Sequence, residues 1–456
     1  MNPEFQRNLW LEASPRRVTW AAVTIILIYT ATALVTRDVV HRAAVFSGVG
    51  IAVFVACAVI WAARAAGSSV LTEVADRTWD FQRLSALTAW DMTWGKLFGA
   101  TLLASAAGLT GIVVHLLAAG PANAWLILLL LASALLVQGL SFMAALVGVR
   151  KARAEGRVAR TGGVLGGLIL GYFLLSALAA SRAFSLTGQR GGGFGWLGRQ
   201  GVVDWWGMTS SALVFWSISA LVLAVFALAG AWRLMRLELQ MRNEPLVWPL
   251  FLVVLAAWVA GFRAGPLGYG ASIAAAGIAM CLAAYAAAFV EPADRVALRR
   301  FAGLAVRGEA AEAARIAPAS LFPLIFALIL TLIGFGVPAV GIPGAYQNSG
   351  AFLAFLIRDL GVIALFRFGP RPQRGDIGAV IALAVLYGVG GIFGGTIGGS
   401  SGAAIFVPSG GDFAGLSIVS GLAQAAVAWV LAARRIRSPE TSVSAPPPGP
   451  ASVPAS

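Results

Sequence analysis

Charge is scarce in this chain. Asp, Glu, Lys and Arg make up 11% of its 456 residues, against about 25% in a soluble globular protein. Hydrophobic residues reach 59%, which excludes a soluble fold and points to an all-α polytopic membrane protein. Cysteine is nearly absent, and Cys57 and Cys281 both fall inside apolar runs, so no disulfide framework is expected. His41 and His115 are the only histidines, and neither CxxC nor HExxH occurs. A metal centre would therefore need carboxylates, and none is expected. No GxxxxGK[ST] motif is present, the nearest run being Gly-Gly-Thr-Ile-Gly-Gly-Ser-Ser-Gly at 394–402, which lacks lysine. The chain is not expected to hydrolyse ATP or to bind a cofactor itself. Residues 1–19 are polar and carry Arg7, Arg16 and Arg17, so the first apolar run, not a cleaved leader, is expected to direct insertion.

What is abundant is apolar sequence in long blocks. A membrane helix needs about 20 apolar residues. Twelve stretches qualify: 18–36, 43–63, 97–119, 124–148, 163–181, 209–232, 247–262, 268–290, 319–339, 350–366, 377–395 and 413–433. With the N-terminus in the cytoplasm, 26 of the 33 Lys and Arg residues fall in cytoplasmic segments and 6 outside, with Arg358 inside a span. The net charge of +14 is thus read as the positive-inside bias and not as a nucleic-acid surface. Both termini are expected to be cytoplasmic. The Arg-rich, Lys-poor, Ala/Gly-rich composition suggests a bacterial inner membrane. The Pro/Ser/Ala-rich tail 437–456 reads as a disordered extension.

The pattern E-x-A-D-R occurs at Glu73–Arg77 and again, 218 residues later, at Glu291–Arg295. Each copy follows the second span of a six-span block and opens a loop of about thirty residues, and each block has a Gly-rich outer loop between its fifth and sixth spans (182–208 and 396–412). After an N-terminal interfacial segment 1–19, this divides the chain into halves 20–232 and 233–436. An even number of spans per half makes the repeat parallel.

The loop at 73–96 reads EVADRTWDFQRLSALTAWDMTWGK. Taken as a helix over 70–84, it places Glu73, Asp76, Arg77, Asp80 and Arg83 on one polar face, towards the cytosol. Glu73 precedes Arg77 by four residues, the order that favours a surface pair. Leu84–Leu87 breaks the pattern, and Thr88-x-x-Asp91 is a capping box for the next helix.

This segment resembles the loop between the second and third spans of type II ABC exporter permeases, whose pattern is roughly E-R-E-x-G-T-x-E-x-L-L-x-x-P-L-S-x-x-E-x-x-x-G-K. Glu73, Thr78, Asp80, Leu87, Thr88, Asp91, Gly95 and Lys96 match or substitute conservatively, whereas Val74, Ala75, Arg77 (for Gly) and Ala86 (for Pro) depart. In that family the segment is a coupling helix that docks on a cytosolic ATPase, and a membrane-dipping element lies between spans five and six. The resemblance implies an ABC ATPase partner, two copies for one fused chain, with ATP and magnesium held by that partner. It implies coupling roles for Glu73, Asp76, Arg77, Asp80 and Arg83, and for Glu291, Asp294 and Arg295 in the second half. That second loop departs strongly, reading VALRRFAGLAVRG after Arg295 with no Gly-Lys.

Other readings stay open. A twelve-span ion-coupled carrier has the same gross topology, and Arg358-Asp359 is the one ionisable pair inside a span. The pair reads either as a substrate or gating contact or as the end of a short, shifted span; adjacent helical residues point about 100° apart and need not bond to each other. A membrane enzyme is disfavoured because the outer carboxylates, Asp38, Asp204 and Asp412, lie in separate loops. A non-transporting scaffold is a further alternative. Trp205-Trp206 reads as a headgroup-level anchor.

Overall fold

The computed structural model describes residues 2–36, 39–85, 87–120, 124–154, 202–262, 268–336, 345–369 and 374–437. The expected span 163–181, most of the first Gly-rich loop and the C-terminal tail lie outside them. By contact the chain forms two compact units, Met1–Ser349 and Gly350–Ser456. The half boundary expected near 232 falls inside the first unit.

Unit 1 begins with a short helix, α1 (Pro3–Glu12), and an apolar one, α2 (Pro15–Val35). The next apolar block holds α3 (Val39–Phe54), a π-helical turn (Val55–Trp61) and α4 (Ala62–Ala75). A five-residue helix, α5 (Trp79–Arg83), leads to α6 (Ala89–Ala119) and α7 (Ala124–Ala154). Thr88 caps α6 as its pattern demands: its hydroxyl accepts from the Asp91 N–H at 3.1 Å and donates to the Asp91 carboxylate at 2.7 Å. A two-stranded antiparallel hairpin follows, β1 (Val202–Trp205) and β2 (Met208–Ser211), then α8 (Ala212–Glu238), α9 (Val247–Ala260) and α10 (Gly268–Val290). The α11 (Arg295–Val306), α12 (Ala310–Ile316) and α13 (Leu321–Gly336) helices complete the unit, α12 and α13 being bent by 112°.

Unit 2 takes up α14 (Ala345–Arg367) from Gly350 onward. It continues with α15 (Gly375–Ala384), a π turn (Val385–Val389), α16 (Gly390–Ala403) and α17 (Ala414–Arg437). Within α16, Gly399 is left-handed at φ 60°, and Gly394 and Gly402 meet backbone to backbone. Two residues eight apart on a straight helix would lie about 12 Å apart. The chain therefore doubles back at Gly399.

Nine helices among the described residues are long and apolar enough to cross a bilayer, and the bent α12–α13 pair makes a tenth candidate. This is a multi-pass helical membrane protein. Eleven of the twelve expected stretches coincide with helices, although α9 is only 14 residues long. Small residues set the close crossings. A Cβ on Gly108 would meet Ala58, and one on Gly50 would lie 2.5 Å from the Gly111 carbonyl, so α6 and the α3–π segment pack through their backbones. By contrast, α2 has no buried residue and exposes Trp20, Ile26, Leu27 and Leu34, as a lipid-facing helix does.

Candidate coupling site around residues 73–96

The helix expected over 70–84 is broken. α4 ends at Ala75, and Arg77 sits in the left-handed region at φ 58°. The Arg77 N–H bonds the Val74 carbonyl and the Thr78 N–H bonds the Glu73 carbonyl, at 3.3 and 3.0 Å. This is a Schellman termination, and Arg77 occupies the position that glycine usually takes. It is also the position at which the resembled pattern carries Gly. Arg therefore preserves the turn at a backbone cost, instead of extending the helix.

Glu73 does not face solvent either. It is 6% exposed and accepts bonds from Lys96, fully buried, and from Arg7 at 2.7 Å, in place of the expected surface pair with Arg77. Lys96 Nζ also donates to Glu4 Oε1 and Gln82 Oε1, each at 2.7 Å, so its three N–H groups are spent. Its charge lies 5.4 Å from the ring centroid of buried Trp79. Arg7 closes the circuit to Glu4 at 2.8 Å, and Asn8 donates to the same carboxylate at 3.0 Å. Two carboxylates face two cations, so the cluster is neutral, as burial requires. Burial pushes the Glu4 carboxyl up, but Lys96 and Arg7 outweigh it and hold it below the ordinary carboxylate value. Burial likewise pushes Arg7 down, and Glu73 and Glu4 more than compensate.

Glycines let α1 approach. A Cβ at Gly95 would lie 2.7 Å from Glu4 Cβ and 2.8 Å from the Phe5 nitrogen, and one at Gly99 would lie 2.9 Å from the Phe5 carbonyl. The Gly-Lys pair that ends the loop motif thus has a structural reason: Gly admits α1, and Lys ties it to Glu73, the residue that opens the motif.

Below the cluster, α5 is fixed from the other side. Arg83 Nε donates to the Glu238 carbonyl at 3.0 Å, and the buried Glu238 carboxylate holds Arg153 at 3.0 Å and Arg150 at 3.5 Å. Arg83, expected on the free polar face, is instead half-buried and holds the end of α8. Asp76, Arg77 and Asp80 are exposed as expected, joined by Phe81 at 79% and Leu84 at 86% exposure. The loop therefore presents two carboxylates, one guanidinium and two apolar side chains on a braced frame. The other end of α8 carries the β1–β2 hairpin. There Trp205 and Trp206 donate to the carbonyls of Trp258 and Ala257, each at 3.1 Å. A 27-residue helix is about 40 Å long, so the hairpin and the 76–85 surface are separated by the thickness of a bilayer.

The second E-x-A-D-R copy is built differently. Glu291 follows the end of α10 and accepts from the Ala319 N–H at 2.8 Å, while Asp294 is the N-cap of α11, accepting from Val296 and Ala297. Arg295 opens that helix, and exposed Arg299, Arg300 and Arg307 give it a basic outer face. Gly308, at φ 77°, ends it with the same Schellman bonds that Arg77 supports in the first copy.

Arg358 and Asp359 do bond to each other, Nε to Oδ1 at 2.7 Å, and both are buried within unit 2. Asp359 Oδ2 accepts from Tyr387 at 2.6 Å, and Arg358 Nη1 donates to Gln424 at 3.0 Å and to the Phe406 carbonyl at 3.3 Å. The guanidinium packs against both the Phe355 and Tyr387 rings, 4.4 and 4.6 Å from their centroids. His115 is a packed histidine, with Nδ1 2.9 Å from Ser47 Oγ. No group of three or more potential metal ligands occurs among the described residues. No known family, curated protein or solved structure matches the chain.

Proposed function

We propose that this chain is the membrane-spanning permease of an ABC exporter, driven by a separate cytosolic ATPase that docks on residues 76–85. The observation that carries the reading is a small exposed surface on a stiff mount. Asp76, Asp80, Phe81 and Leu84 face outward while the residues between and beside them are locked to α1, α4, α6 and α8. A motor outside the bilayer can move spans only through an element that does not yield when pushed, and this loop joins α4 and α6 directly. In this reading Glu73, Lys96 and Arg83 transmit and Asp76, Arg77 and Asp80 touch the partner. The two halves are parallel six-span repeats with cytoplasmic termini in a bacterial inner membrane, two ATPase copies serve one chain, and ATP and magnesium stay with them. The second copy, with its basic α11 face around Arg295, meets a different ATPase surface from the first. A central apolar path suits an amphipathic or lipid-like cargo.

The test is charge reversal. Asp76→Lys with Asp80→Lys should abolish co-purification of the ATPase while leaving membrane insertion intact; undiminished co-purification contradicts the reading. The second reading, an ion-coupled carrier, draws support from the buried Arg358–Asp359–Tyr387 network. It predicts transport in vesicles that collapses with the ion gradient and ignores ATP depletion.

A further inference from the structure

Arg358 is left with one terminal nitrogen that bonds nothing among the described residues. It is 1% exposed, in the middle of an apolar span, and its Nη2 has no hydrogen-bond partner among the described residues. A buried cationic N–H without an acceptor is costly. Asp359 bonds Arg358 Nε through Oδ1 and the Tyr387 hydroxyl through Oδ2, and neither of its oxygens bonds Nη2. Tyr387 itself is delivered from the π turn Val385–Val389, a distortion found often at functional sites.

Beside this cluster runs a groove of about 350 Å³ along the Gly399 hairpin, lined by Phe393, Ile397, Ile405, Phe406 and Leu416. Its wall is shared with the charged cluster. Ile405 and Phe406 line the groove, while their carbonyls accept from Gln424 and from Arg358 Nη1. Phe393 and Ile397 are exposed, so the groove is open along one side.

We propose that this is a binding site for an amphiphile with an acidic head, its carboxylate paired with the Nη1–Nη2 edge of Arg358 and its apolar chain in the groove. The fork of two N–H groups matches two carboxylate oxygens, and the head takes the place of the Phe406 carbonyl on Nη1. A resident lipid keeps its head at the membrane surface, whereas Arg358 lies mid-span, so the ligand held here is cargo in passage. This names the cargo class within the transporter reading and rests on that reading for its meaning. Binding itself does not depend on the ATPase, so loss of ATPase docking and loss of this site are separately observable.

The experiment uses the full chain in phosphatidylcholine nanodiscs, a fatty acid carrying a photoactivatable group in mid-chain, and peptide mapping of the label. Labelling is expected in 393–416. It should fall about tenfold or more in the Arg358→Gln/Asp359→Asn double variant, which removes both charges together. It should fall also in Ile397→Trp, which fills the groove at an exposed position without touching the charges. The matching photoactivatable fatty alcohol should label at least about tenfold less than the acid, and millimolar acetate should not compete. Equal labelling by acid and alcohol, or undiminished labelling of the double variant, overturns the site as one that merely holds a lipid chain. Loss of labelling under acetate overturns it as a site for small anions.

Discussion

Arg77 carries a conflict that its neighbours resolve. Its left-handed backbone costs an ordinary L-residue about 1–2 kcal/mol, and the two Schellman bonds hold it there. Arg77→Gly should therefore keep or slightly raise the melting temperature of the purified protein. Arg77→Val, branched at Cβ, should lower stability by about 1–2 kcal/mol, read as a lowered melting temperature. Glu4 makes a pH-dependent contribution whose sign is fixed. Its folded pKa lies below the ordinary glutamate value of 4.5, so the stabilisation is complete above that value and is lost as pH falls through the folded one. Amides of α1 should be protected from hydrogen exchange at pH 7 and lose protection as the pH is lowered well below 4.5. Protection that survived acid, or declined on raising the pH, would contradict the assignment. The residue scale is where sequence reading was weakest. Spacing puts Glu73 on the same face as Asp76 and Asp80, and nothing local distinguishes the three. What separates them is the helix end at Asp76 and the arrival of α1, a contact between residues 92 positions apart.

At the scale of elements, α1 is the unexpected part. Its polar sequence reads as an interfacial tether, yet it packs on α6 through Gly95 and Gly99 and supplies Glu4 and Arg7 to the buried cluster. Gly99→Leu should drive α1 off α6, with overpacking worth about 1–3 kcal/mol. Limited proteolysis should then cleave within residues 2–14 while α6 remains intact; unchanged resistance would mean that α1 is held by something else. Other elements were legible. The apolar runs placed α2 and α10 within three residues and fell six to eight residues short at one end of α6, α7 and α8, and Thr88-x-x-Asp91 gave the start of α6. The β1–β2 hairpin was not, because four-residue strands leave too short an alternation to read and its left-handed turn falls at Trp206-Gly207, with no Asn or Asp to mark it. The return at Gly399 was legible only as glycine enrichment, since the backbone contact of Gly394 with Gly402 depends on where the chain turns.

For the whole molecule, the proposal places the 76–85 surface on the cytoplasmic side, supported by the 26-to-6 distribution of basic residues and by the bilayer-length separation of the β1–β2 hairpin from that surface. The two E-x-A-D-R segments on which the proposed repeat rests differ in local structure. Glu73 belongs to a buried ion cluster and Asp76 ends a helix, whereas Glu291 braces a bend and Asp294 begins a helix. One motor surface cannot fit both alike, which is why the proposal assigns the first loop the defining contact. The most direct measurement is photo-crosslinking in native membranes from a benzoyl-phenylalanine placed at Leu84. The account predicts a single major adduct with an ABC ATPase, its yield altered when ATP is trapped unhydrolysed; adducts with lipid alone, or labelling of position 84 only from the periplasmic side, would contradict it.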